Sequence, residues 1–173
     1  QTAIAFFGIY FKLQSFIYMP ANGLIQGMRP LISYNYGARH FDRVKKIIKV
    51  SIISTAVILC CGTIIFMGLP ELVLSWFNAT EQLLEIGIIG LRVISPCFIL
   101  STMGVVISGV FESLGKGRQS LTISLLRQFI ITLPLAYILL KVIGLNGIWL
   151  SFVIAEGIAS VIAVILIKKE LHN

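Results

Sequence analysis

Long uncharged stretches constrain this chain more than any other feature. Val50 to Pro70 contains no charged residue over 21 positions, and Val93 to Phe111 contains none over 19. A helix needs about 20 apolar residues to cross the roughly 30 Å hydrocarbon core of a bilayer. Charged residues make up only 12% of the chain, about half of the share in ordinary soluble domains. The sequence therefore predicts a polytopic membrane protein.

The hydrophobic pattern predicts an all-α fold, a bundle of five transmembrane helices. The links at His40–Arg43 and Gly115–Arg118 are basic, as is the C-terminus, whereas the link at 70–80 is acidic and aromatic. The positive-inside rule then places the basic links and the C-terminus in the cytoplasm and Gln1 outside. This distribution of the net charge of +7 argues against a nucleic-acid partner. The expected helices cover about residues 3–37, 44–69, 81–113, 119–143 and 147–168.

Residues 19–39, MPANGLIQGMRPLISYNYGAR, place two prolines, three glycines, amides and an arginine in an apolar region. A hairpin near Pro20 would leave residues 24–37 to cross the membrane alone, and this length of helix extends only about 21 Å. We therefore expect one long helix with bends near Pro20 and Pro30, because proline removes a backbone donor and clashes with the preceding turn. Such a helix suits the hinged wall of a water-accessible cavity. The alternative is that proline and glycine are simply frequent in membrane helices.

Several motifs resemble those of the multidrug and toxic compound extrusion (MATE) transporters. PANGLIQGMRPLISYNYGAR followed by FDRVKKIIK is similar to the family's proline-containing helix and the basic loop after it. GVFESLGKGRQSL resembles the end of the family's tenth helix, and LNGIWLSFVIAE resembles the turn into its last helix. The matches follow the family's order and span nearly the entire chain.

The resemblance implies that the chain is the C-terminal part of a twelve-helix transporter, covering helices eight to twelve. Its expected partners are the N-terminal lobe of the same protein, the lipid bilayer and small-molecule drugs or organic cations. The implied function is multidrug efflux from the cell by alternating access, as an antiporter that exchanges drugs for H⁺ or Na⁺ without another cofactor. A lipid-linked saccharide flippase of the same superfamily is the alternative. An enzyme is not expected, because the few acidic residues of the predicted helices are scattered.

Ionisable and polar groups within spans are candidates for cavity-lining positions, because they are costly in lipid. Arg29 lies inside the bent helix, where it would either line a cavity or bind an acidic partner in the other lobe. Alternatively, it would extend toward the lipid headgroups. Gln26 and Asn35 are further candidates in the same helix. Soft side chains that could contact a lipophilic cation are Met28, Tyr34, Tyr36, Phe98, Met103, Phe129 and Tyr137.

Glu156 and Arg127 are the candidates for ion coupling. They lie on successive helices, which as antiparallel neighbours could bring the two side chains together. One interpretation is a structural ion pair, and the other is a carboxylate that binds and releases the coupling proton. Some family members carry a cation-coordinating aspartate in the tenth helix, but the corresponding region here, CFILSTMGVVISG, has no carboxylate. The coupling ion therefore stays open between H⁺ and Na⁺.

Two further expectations come from spacing. Glu112 and Lys116 are four residues apart, which favours a local surface pair on a helix. The cysteines, Cys60, Cys61 and Cys97, lie within apolar runs without metal-ligand spacing, so we expect packing roles and no metal site.

Overall fold

The computed structural model describes residues 2–77 and 80–172, with side chains as far as residue 170. All regular elements in these ranges are helices, which confirms the predicted all-α class. Five segments are long and apolar enough to cross a membrane: Thr2–Gly37, Phe41–Gly68, Pro96–Ser113, Gly117–Ile143 and Leu145–Glu170. The elements are α1 (Thr2–Gly37), α2 (Phe41–Gly68), α3 (Pro70–Ser75), α4 (Glu81–Ile94), α5 (Pro96–Ser113), α6 (Gly117–Leu125), a π-helix (Leu126–Ile130), α7 (Thr132–Ile143) and α8 (Leu145–His172).

The first helix runs without interruption through both of its prolines. α1 contains Pro20 and Pro30 within its 36 residues, so the hairpin alternative is excluded. At about 1.5 Å per residue, a helix of this length exceeds the hydrocarbon core and extends beyond it. Whether the two prolines act as hinges stays a prediction.

The third predicted helix, 81–113, is wrong as a single helix because it divides at Ser95. α4 ends at Ile94 and α5 begins at Pro96, whose missing amide fits the first helical position. The link at 70–80 also differs from the expected loop, since it contains the short helix α3 with Pro70 at its start.

The fourth predicted helix, 119–143, contains a π-helical turn at Leu126–Ile130. The amide of Ile131 donates to the carbonyl of Leu126 at 3.1 Å, five residues back instead of four. Pro134 follows in the first turn of α7, where its ring conflicts with the carbonyl four residues earlier. The wider turn thus lies directly before the proline.

The bundle is organised around α5, which contacts α1, α2, α6 and α8. An aromatic cluster forms one part of the core, in which the Phe6 ring meets the Trp149 ring edge-on at a centroid distance of 4.9 Å. A second, mainly aliphatic cluster includes Ile25, Val106 and Phe111. Many apolar side chains elsewhere face outward, as expected for helices whose surroundings are lipid.

The basic links and the C-terminal helix lie at one end of the bundle. The Ser33 hydroxyl donates to the carbonyl of Ser113 at 2.7 Å, which joins the last turns of α1 and α5. Lys116 forms an ion pair with Glu170 near the end of α8. This arrangement agrees with the expectation that the basic segments share one side of the membrane.

Candidate functional site

A cleft of about 970 Å³ opens between α1, the π-helix, the start of α7 and α8. This volume is in the usual range of small-molecule sites. We call it the polar cleft, because amide, hydroxyl and charged groups interrupt its apolar walls. Its polar lining consists of Gln14, Ser15, Tyr18, Asn22, Gln26, Arg127, Gln128, Thr132 and Glu156.

One face of α1 supplies most of the amides. Gln14, Tyr18, Asn22 and Gln26 follow each other at intervals of four residues, and side chains with this spacing share a face of a helix. The Tyr18 hydroxyl also lies 2.5 Å from the Ser101 hydroxyl of α5, which fixes the ring against the core. Gln26 was a sequence candidate, whereas Gln14 and Tyr18 were missed. Their four-residue repeat within an apolar helix was the signal that could have found them.

Arg127 and Glu156 meet in the polar cleft, with 3.5 Å between Arg127 Nε and Glu156 Oε1. Both side chains are largely buried, with exposed fractions of 17% and 12%. Within the described residues, Arg127 Nη1 and Glu156 Oε2 have no hydrogen-bond partner. Buried charges need compensation, so this pair retains one donor and one acceptor for a ligand, an ion or water.

The π-helix positions Arg127. The Thr132 hydroxyl donates to the carbonyl of Arg127, which holds the widened turn in place. Single π turns within α-helices are often found at functional sites. The sequence paired Arg127 with Glu156 by helix order but did not predict this turn.

Arg29 finds its acidic partner within this chain. Its guanidinium forms an ion pair with Glu112 of α5, and the Ser120 hydroxyl donates to Glu112 at 2.8 Å. The predicted Glu112–Lys116 pair is wrong. α5 ends at Ser113 and Gly115 adopts a φ of 72°, so Lys116 leaves the helix face that the four-residue spacing assumed. Lys116 instead pairs with Glu170.

The remaining candidates lie away from the polar cleft or in the core. Asn35 is buried and donates from Nδ2 to the carbonyl of Leu31 at 2.8 Å. Tyr34 is exposed, and Tyr137 is exposed beneath the ammonium group of Lys141, 4.4 Å from its ring centroid. Met103 is partly exposed outside the cleft lining.

Among the other soft side chains, Phe129 lines the polar cleft. Met28 and Phe98 are buried in the core, and Tyr36 packs edge-on against Phe41 at a centroid distance of 5.7 Å. In the described ranges, no three histidine, cysteine, aspartate or glutamate side chains come together as metal ligands.

Comparisons with known proteins identify relatives of the whole chain. The sequence model of the MatE family matches residues 1–138. The multidrug export protein MepA of Staphylococcus haemolyticus (strain JCSC1435) is 31% identical over 166 residues, and MepA of Staphylococcus aureus (strain MSSA476) is 30% identical over 165 residues. Each alignment covers 95% of this chain but 36% of the relative. The chain thus spans about a third of the length of these curated relatives.

Solved structures share the arrangement of the helices. The MATE multidrug transporter DinF-BH, solved with a bound drug, superposes with a TM-score of 0.85 at 30% identity. That match covers 94% of this chain and 36% of DinF-BH. A transporter of the MOP superfamily from Pyrococcus furiosus has a TM-score of 0.94 at 20% identity, covering 99% of this chain and 39% of its own, which shows a common fold.

Proposed function

The chain belongs to the MatE family, and we propose that it is part of an antiporter that exports lipophilic, often cationic compounds from the cell. The names of the MepA relatives and the drug complex of DinF-BH support export of small molecules. The flippase alternative is not favoured, because these relatives are named as multidrug exporters.

The polar cleft is the observation that carries this proposal. It combines about 970 Å³ of space with apolar walls and one incompletely bonded carboxylate, Glu156. A lipophilic cation needs both features, since apolar surface binds its body and a buried negative charge attracts its positive group. In this proposal the N-terminal lobe of the same protein closes the passage opposite the cleft.

Glu156 is proposed as the group that couples export to an ion gradient. Arg127 at 3.5 Å disfavours a sodium ion at the same carboxylate, because two cations would then compete for one negative charge. A proton avoids this conflict by neutralising Glu156 and releasing Arg127. We therefore propose H⁺ as the coupling ion, with Na⁺ as the outcome that would overturn the assignment.

The test measures efflux of a lipophilic cationic dye from cells that express the complete reading frame. Glu156→Gln should lower efflux about tenfold, which corresponds to ~1.4 kcal/mol of lost interaction. Glu85→Gln, which neutralises an exposed glutamate of α4 outside the cleft, is the matched control. Normal efflux by Glu156→Gln would refute a functional role for this carboxylate.

A double variant separates coupling from a structural ion pair. Arg127→Gln with Glu156→Gln removes both charges and leaves no unpaired charge in the cleft. A structural pair predicts that the double variant regains the activity lost in Glu156→Gln, whereas a coupling carboxylate predicts that it stays inactive. Efflux from vesicles under an imposed pH gradient or an imposed Na⁺ gradient then identifies the ion.

We also propose that the basic end of the bundle faces the cytoplasm, in the plasma membrane, with Gln1 on the outside. In a variant without the native cysteines, Trp76→Cys should react with a membrane-impermeant maleimide on intact cells. Arg118→Cys, at the basic end, should react only after the membrane is permeabilised. The opposite pattern of labelling would reverse the orientation.

A further inference from the structure

A second cavity lies between α1 and α2, outside the polar cleft. It has a volume of about 660 Å³, and we call it the α1–α2 groove. Its α1 wall includes Leu24, Gly27 and Leu31, which lie on a different face from Asn22 and Gln26. The groove is lined by Leu24, Gly27, Met28, Leu31, Asn35, Arg43, Lys46, Ile47, Val50, Ser51 and Ser54.

Positive charge is concentrated at one end of this groove. Arg43 and Lys46 lie in the first two turns of α2 and belong to a basic segment, residues 39–49, with five basic residues and one acidic residue, Asp42. The ion pairs formed among the described residues use neither Arg43 nor Lys46. Their charges are therefore available to an anion that approaches from the membrane interface.

The length of the groove matches one leaflet of a bilayer. From Leu24 to Asn35 the α1 wall extends about 16 Å along the helix axis. Half of the hydrocarbon core is about 15 Å. The basic end adjoins the link between α1 and α2, where lipid headgroups would lie, and the apolar wall extends from there toward the membrane centre.

We propose that the α1–α2 groove binds an anionic phospholipid. The phosphate lies at Arg43 and Lys46, and one acyl chain follows Leu24, Gly27 and Leu31. A soluble anion would leave the apolar wall uncovered, and a neutral lipid would leave the two cations uncompensated. Basic pockets between transmembrane helices are suited to anionic headgroups for the same reason. This proposal is independent of the export function, because lipid binding is measured without transport.

The charge test uses the protein expressed from its complete reading frame and measures phosphatidylglycerol binding by native mass spectrometry. Arg43→Gln with Lys46→Gln should raise the Kd about thirty-fold, at roughly 1 kcal/mol for each cation. The control, Lys45→Gln with Lys49→Gln, removes the same charge from the same segment but outside the groove lining. It should change the Kd only a few-fold. Equal losses in the two double variants would indicate diffuse attraction and overturn the site.

A steric test leaves the charge unchanged. A side chain added at Gly27 meets no atom within 4 Å, so Gly27→Leu fills the groove without disturbing the helices. It should abolish binding, whereas Gly8→Leu, at an equally open glycine of α1, should not. Phosphatidylglycerol with a photoactivatable acyl chain should label residues 24–31. Labelling elsewhere, or cross-linking of these residues to another part of the protein, would refute the proposal.

Discussion

At the scale of single residues, Arg29 shows how a charge within a membrane helix is compensated. The sequence left open whether it would bind an acid in another lobe, line a cavity or extend to the headgroups. In the structure Glu112 of α5 provides its partner, and Ser120 supports that carboxylate with a hydrogen bond of 2.8 Å. The pair also links α1 to α5 near the basic end of the bundle. We infer that its role is to fix these helices relative to each other.

Charge reversal tests this structural role. Arg29→Glu places two carboxylates together, so we expect the temperature of thermal inactivation in detergent to fall by about 2–4 °C, as for a loss of ~1 kcal/mol. Adding Glu112→Arg restores opposite charges and should recover most of the loss. If the double variant is no more stable than Arg29→Glu, the pair does not hold α1 against α5.

Residue pairs were predictable only where the helices around them were. Glu156 and Arg127 were paired from their places on consecutive helices, and the structure sets them 3.5 Å apart. The Glu112–Lys116 prediction failed because it assumed that α5 continues for another turn. Spacing alone does not identify where a helix ends, since the end here depends on Gly115 and on packing with α8.

At the scale of secondary-structure elements, the long apolar runs were sufficient to predict the membrane spans but not their interruptions. Pro96 was visible within the third run, yet a proline in a membrane helix is compatible with either a bend or a new helix. The π turn before Pro134 depends on tertiary contacts, including the hydroxyl of Thr132. The polar cleft has the same limitation, because it combines α1 with α7 and α8, which are distant in the chain.

Pro30 provides a test of the hinge prediction in α1. Pro30→Ala restores an amide that can bond to the carbonyl of Gln26, which straightens and stiffens the helix beside the polar cleft. We expect several-fold slower dye efflux at an unchanged level of protein in the membrane. Pro70→Ala is the control, because a proline at the first position of α3 replaces no helical hydrogen bond. Equal efflux by Pro30→Ala and the unmodified protein would exclude a hinge at this position.

Glycine contacts determine how closely α5 approaches α1. A Cβ atom at Gly109 would lie 2.5 Å from Cγ2 of Ile25, a buried side chain, whereas one at Gly8 meets nothing within 4 Å. Gly109→Ala should therefore lower the free energy of unfolding by about 1–2 kcal/mol, the overpacking cost exceeding the gain in helix propensity. Gly8→Ala receives the same propensity gain without the clash and should be neutral or stabilising. Thermal or denaturant unfolding in detergent measures both, and equal stabilities would contradict the close crossing.

At the scale of the whole molecule, the five spans form a bundle whose polar cleft is open on one side. Arg127 and Glu156 are largely buried within it, but Phe129 on its rim is mostly exposed. In the proposed transporter, alternating access requires a second wall that closes this side in turn from each face of the membrane. The α1 amides and the ion pair then line only one half of the passage.

This geometry predicts that residues 1–173 do not transport on their own. Vesicles that contain this chain should release a lipophilic cationic dye no faster than empty vesicles under an imposed pH gradient, because the open cleft cannot alternate between the two faces. Vesicles with the product of the complete reading frame should release it, and the Glu156→Gln form of that product serves as an inactive control of the same size. Gradient-dependent release by residues 1–173 would show that these helices build a passage without a second lobe, for example between copies of the chain. The proposed division of the passage between two lobes would then be wrong.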